Sequence, residues 1–179
     1  MEWNSLPTPA RAIAVAAGDA VDAAGRRDAE ALDAAALALA AADGSGLVLG
    51  MVARLRLEEL HPDGLDADDV RTVLQDCVRS AGEWVPWVDP HVVLVLLASA
   101  LGVHDPDENG PEPAPKDLAR HGPLLVEQLM IGATRPLRAY LVGAFAEIRR
   151  GELHDRLRNL DRLQDPRQRR TGEGGRVGR

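Results

Sequence analysis

Residues 89–103 read DPHVVLVLLASALGV. The run VVLVLL is β-branched enough to pass for a buried strand, so the fold class turns on how this stretch is read. Asp89 followed by Pro90 supplies a capping side chain and then a residue already set for the first helical position. The ASALG that follows suits a helix end better than a strand end. The segment is therefore predicted as a core helix. It is too short to span a membrane, which takes about 20 apolar residues.

Punctuation elsewhere agrees. Thr8-Pro9 predicts a helix start, with Ile13, Ala17, Val21 and Ala24 on one face to Gly25. Residues 29–44 read as a second helix ended by glycine, and Ser45 is placed to cap a third that stops at His61-Pro62. Asp66 predicts the cap of a fourth, in which Val70, Val73, Leu74, Cys77, Val78 and Ala81 form a stripe of helical period. A sixth helix is expected between Asp117 and Ala133, kinked or broken at Gly122-Pro123. The seventh follows Thr134 and repeats the stripe through Leu137, Tyr140, Leu141, Ala144, Phe145 and Ile148. The expected fold is all-α, an antiparallel bundle of about six to seven helices. LHPDG and VHDPD place His61 and His104 at two similar helix ends, and a short two-helix-repeat solenoid is the alternative.

The domain reading assigns 1–150 to one helical domain, 151–165 to a charged helical extension and 166–179 to a disordered basic tail. Composition supports that division. Residues 1–148 carry 11 basic and 23 acidic side chains, whereas residues 149–179 carry 10 basic and 5 acidic ones. An acidic body repels nucleic acid and anionic membranes, and a basic tail can dock on acidic surfaces. Aromatic side chains make up only 3% of the chain, so Ala, Leu and Val must fill the core. The single Cys77 excludes a disulfide within the chain. The opening MEWNSLPTPARAIAVAAGDAV lacks the basic lead and unbroken apolar run of a signal peptide, so a cytoplasmic location is expected.

Residues with chemical potential are few. Trp84 and Trp87 flank Pro86 between the fourth and fifth helices, with His91 one turn on. In a chain with three tryptophans, that cluster is the candidate ligand or partner surface, weighed against a connection simply plugged into the core. Arg156, Arg158 and Arg162 are the candidate partner-binding residues of the tail. DGSGLVLG, residues 43–50, resembles a phosphate loop, but its glycines are spaced GxGxxxG and a helix precedes it where the mechanism needs a strand. Cys77 falls on an apolar stripe and the serines stand in no nucleophile context. No His or acid spacing predicts a metal site, so neither a metal nor a cofactor is expected. The tail has arginines but no aromatic residue for stacking, which disfavours nucleic acid as a partner.

Three functions follow as expectations. The first is a non-catalytic module for protein interaction or self-association, with a protein partner or homodimer and no membrane. The second is a small-molecule binder or enzyme with its pocket near Trp84 and Trp87. The third is a regulatory protein that touches nucleic acid through its tail.

Overall fold

The computed structural model describes residues 3, 6–105 and 112–164, with side chains as far as His154. Among the described residues there are seven helices and no strand. They are α1 (Thr8–Gly25), α2 (Ala29–Ala40), α3 (Ser45–Leu60), α4 (Ala67–Gly82), α5 (Pro90–Leu101), α6 (Pro115–Met130) and α7 (Leu137–Gln164). The doubtful stretch is helix: α5 has Asp89 as its cap, the carboxylate accepting from the His91 amide at 2.8 Å. None of these helices is by itself long and apolar enough to cross a membrane. The fold class is all-α.

The chain divides into two units, Met1–Phe145 and Ala146 onward. In the first unit α6 is the organising element. It packs against α1, α2, α3, α4 and α5, and six consecutive residues, His121 to Val126, are buried. A helix covered on every side is a central core helix. A solenoid would confine each helix to its neighbours in the stack, so this topology sets the repeat alternative aside. The weak likeness of the His61 and His104 segments has a local cause: both stand where a helix ends and the chain turns.

The expected break at Gly122-Pro123 is absent, and α6 runs unbroken through both residues. A proline inside a helix removes one amide donor and crowds the carbonyl four residues back, at about 3 kcal/mol or more. Here that local penalty is outweighed by burial: Pro123, Leu124, Leu125, Val126 and Leu129 all lie in the core. Gly122 has a separate role. A Cβ built on it would sit 3.1 Å from Leu49 Cδ1, so α3 and α6 approach where neither has room for another atom.

The starts of α1 and α3 differ from expectation. The residue capping α1 is Pro7, which has no side-chain bond to give, and Thr8 is already helical. Gly44, with φ +84°, precedes α3, while Ser45 turns its hydroxyl back to donate to the Leu39 carbonyl at 2.7 Å. The Asp66 and Asp89 caps follow the sequence reading, whereas α2 is capped by Asp28 and α6 starts at Pro115, two residues before the expected Asp117. Asp66 accepts from the Asp68 and Asp69 amides, and Asp69 returns the bond to the Asp66 amide, closing a capping box on α4.

The close α3–α6 approach yields a paired test. Gly122→Val should lower stability by about 1–3 kcal/mol, because the core must shift around the new side chain. Gly50→Ala, in mid-α3 with nothing within 4 Å of its Cβ position, should raise stability by roughly 0.5–1 kcal/mol. Chemical denaturation of both variants measures the two opposite signs.

Candidate functional site

The tryptophan pair lies in the α4–α5 connection. Trp84 and Trp87 are both half-buried, as is His91. The ring that meets Trp87 is not His91 but His121 of α6, edge-on at 5.3 Å between centroids and 75° between planes. On α6 one residue earlier, the Arg120 guanidinium stands 5.2 Å from the centre of the Trp87 ring. Arg120 Nε lies 3.0 Å from Asp33 Oδ1 of α2, an ion pair by distance that lacks hydrogen-bond alignment. The connection is thus seated on α6, and α2 helps to hold the residue that covers it.

His121 itself is only 2% exposed. Its Nδ1 is 2.7 Å from the Asp117 carbonyl and its Nε2 is 2.9 Å from the Asp89 amide. A carbonyl can only accept and an amide can only donate, so the ring is neutral with its proton on Nδ1. Burial holds its pKa below the usual histidine value of 6.5.

A second buried polar group was not singled out in the sequence. Arg56 of α3 is 3% exposed; its Nε donates to the Leu129 carbonyl at the end of α6 at 2.9 Å. Its Nη1 reaches Glu59 Oε2 at 3.2 Å and the Tyr140 hydroxyl at 3.4 Å. Tyr140 donates to the same Glu59 oxygen at 2.6 Å, and Arg135 donates to it at 2.9 Å while lying 4.5 Å over the Tyr140 ring. This clasp ties α7 to α3. Three donors converge on one carboxylate: the Tyr140 hydroxyl, then Arg135 and Arg56, hold Glu59 down at about 2 from an ordinary 4.5.

The chemistry of the remaining candidates is limited. Cys77 is buried on α4, and burial together with the Glu127 carboxylate pushes its thiol up to about 12, leaving it protonated and unreactive at neutral pH. Among the described residues no three His, Cys, Asp or Glu side chains are grouped to hold a metal. Arg156, Arg158 and Arg162 fall on α7, but their side chains lie outside the described ones, as do residues 106–111 of the acidic loop and the tail beyond Gln164.

A further feature lies elsewhere. A cavity of about 570 Å³ opens between the α2–α3 turn, the second half of α5 and the first half of α6. Leu49, Leu96 and Leu118 give it apolar walls, and Gly46 and Gly50 bare the backbone of α3 between the side chains of Leu47, Met51 and Arg54. Nothing lies within 4 Å of a Cβ built on either glycine, so the space is open above the helix backbone. The phosphate-like stretch 43–50 therefore lines a cavity, but in a helix–turn–helix setting with largely apolar walls. His104 lines the cavity with both ring nitrogens buried and without hydrogen-bond partners among the described residues. A smaller cavity of about 300 Å³ sits between α1 and α6. Neither cavity is lined by Trp84, Trp87 or His91.

Large apolar side chains are exposed at and beside the larger cavity. Leu47, on its lip, is 58% exposed. Val103, between the lining residues Gly102 and His104, is 67% exposed, and Leu37, one helical turn before the lining residue Ala40, is 72% exposed. Comparison of the chain with models of protein families, with curated proteins and with solved structures finds no match.

The Glu59 clasp predicts a defined pH dependence. Its pKa is depressed on folding, so its stabilisation is present above about 4.5 and is lost as pH falls through about 2. The stability gap between the parent chain and Glu59→Gln should be constant above pH 4.5 and close toward pH 2. Urea midpoints across that range measure it.

Proposed function

We propose that this chain is a non-catalytic interaction module whose working surface is the groove between α3, α5 and α6, rather than the tryptophan connection. One observation carries the reading: apolar side chains are exposed at and beside the cavity, Leu47 in its lining, Val103 between two lining residues and Leu37 one helical turn from another, each more than half exposed. An apolar patch that surrounds a cavity suits a partner's surface with side chains to insert, because such a patch is hidden from water only by something larger than the cavity. A second copy of this chain is the occupant to test first, since closed pairs built on one self-complementary patch are the commonest assemblies.

A small apolar ligand held inside the groove is the second reading. The volume of about 570 Å³ favours it, since ligand pockets commonly fall between about 300 and 1,000 Å³. The two readings differ in where the contacts lie, at the rim or at the floor.

Sedimentation velocity and native mass spectrometry of the full chain separate them. If the rim is the interface, the parent chain self-associates and Leu47→Asp weakens this by roughly tenfold or more, the loss expected when about 1.5–3 kcal/mol of leucine burial is removed. A monomer carrying a small added mass, lost in Gly50→Leu but kept in Leu47→Asp, establishes the ligand reading instead. A bare monomer at every concentration removes self-association.

A further inference from the structure

We propose that His121 is an acid-sensitive latch that holds the α4–α5 connection, and with it the start of α5, onto α6. The latch is independent of the groove and rests on the direction of two hydrogen bonds. The Asp89 amide donates to Nε2 at 2.9 Å, and Nδ1–H donates to the Asp117 carbonyl at 2.7 Å. Asp89 is the capping residue of α5, so the first bond fixes the place where that helix begins. Protonation adds a hydrogen to Nε2. The nitrogen then ceases to accept and presents a donor to the Asp89 amide, which is itself a donor. Two donors then face each other across a part-buried contact, and the arrangement cannot persist unchanged.

What surrounds the ring decides whether the charge could be absorbed in place. From α6, Asp117 and Arg120 face it; from the connection, Asp89 faces it and Trp87 meets it edge-on. Arg120 opposes a second positive charge, and the Asp33 carboxylate of α2 lies 3.0 Å from Arg120. The Asp89 carboxylate already accepts from the His91 amide as the α5 cap. Asp117 and Asp89 favour the charged ring, but burial is the larger effect and keeps it neutral. The ring is wedged between the connection and α6 with 2% exposure, so the easier response to protonation is release of the connection.

The sign follows from the lowered pKa. An unfolded or released histidine binds its proton with a pKa near 6.5, and the seated one does so only at lower pH. Seating is therefore at full strength above 6.5, weakens as pH falls below that value, and is lost once pH passes the seated pKa. Free aspartates titrate near 3.9, so the effect of His121 appears before theirs.

The test is nuclear magnetic resonance of the full chain from pH 7.5 down to about 5, following the His121 ring nitrogens and hydrogen exchange at the Asp89 amide corrected for its intrinsic pH dependence. At the upper end the ring should appear as the neutral form protonated on Nδ1. As pH falls, Asp89 protection should drop by roughly tenfold or more with the same midpoint as His121, below 6.5, while core amides of α6 keep theirs. His121→Gln places a non-titrating acceptor near the position of Nε2 and should abolish the transition at Asp89. Asp89 protection that stays constant while His121 titrates overturns the proposal. So does a His121 midpoint at or above 6.5, or the same transition in a folded His121→Gln. If that variant does not fold, the coincidence of the two midpoints in the parent chain decides alone.

Discussion

The first unit depends on one packing constraint: α6 must be enclosed on all sides. Its middle carries a glycine and a proline, a pair that alone would end a helix. Enclosure by α1 to α5 reverses that outcome. The glycine admits Leu49 of α3 to a distance that no side chain would allow, and the proline occupies a core position where its ring packs as well as any apolar side chain. Local preference is a matter of a few kcal/mol, and burying five apolar residues of α6 supplies more than that at about 1.5–3 kcal/mol each.

Burying a helix so fully creates a problem at its polar sites, and two side chains from different elements resolve it. At one end, the Leu129 carbonyl would lie under α3 without a partner, and Arg56 supplies one. The charge so buried is then answered by Glu59, itself gripped by Tyr140 and Arg135. At the other end, His121 takes the Asp89 amide and gives its proton to the Asp117 carbonyl. Among the described residues, Arg56 and His121 are the buried side chains of the Arg, Lys, His, Asp and Glu types, at 3% and 2% exposure. Both sit where an element packed against α6 would otherwise leave a backbone group unpaired. Their burial is thus explained by packing, and neither needs a catalytic role to account for it.

What could be read in the sequence follows the reach of each interaction. The stripes of α1, α4 and α7 were legible because periodicity within one helix is a local property. The starts of α4 and α5 were legible because Asp66 and Asp89 carry the capping bond in their own side chains. The starts of α1 and α3 were misplaced for the complementary reason: Pro7 and Gly44 cap without any side-chain bond, so Thr8 and Ser45 looked better qualified. The continuity of α6 was illegible because its cause lies in five other helices. Trp87 with His121, and Arg56 with Tyr140, are pairs 34 and 84 residues apart, and no spacing rule joins them. The glycines at 46 and 50 did stand out, but as a phosphate motif; whether open space or another helix lies above them is not a property of the residues themselves.

That open space changes how the glycines of α3 are understood. Gly46 and Gly50 are four apart, on one face of the helix, and each weakens it relative to alanine. Gly122 has a packing reason for lacking a side chain, since Leu49 fills the place where its Cβ would lie. Gly46 and Gly50 have no such reason within the described residues, because nothing stands above either. A helix with glycine at two positions on one face, and Leu47 exposed beside them, leaves its backbone open to approach. On this argument the groove, which the periodicity of the sequence did not reveal, has a stronger physical claim to be the working surface than the tryptophans, whose connection is already seated on α6.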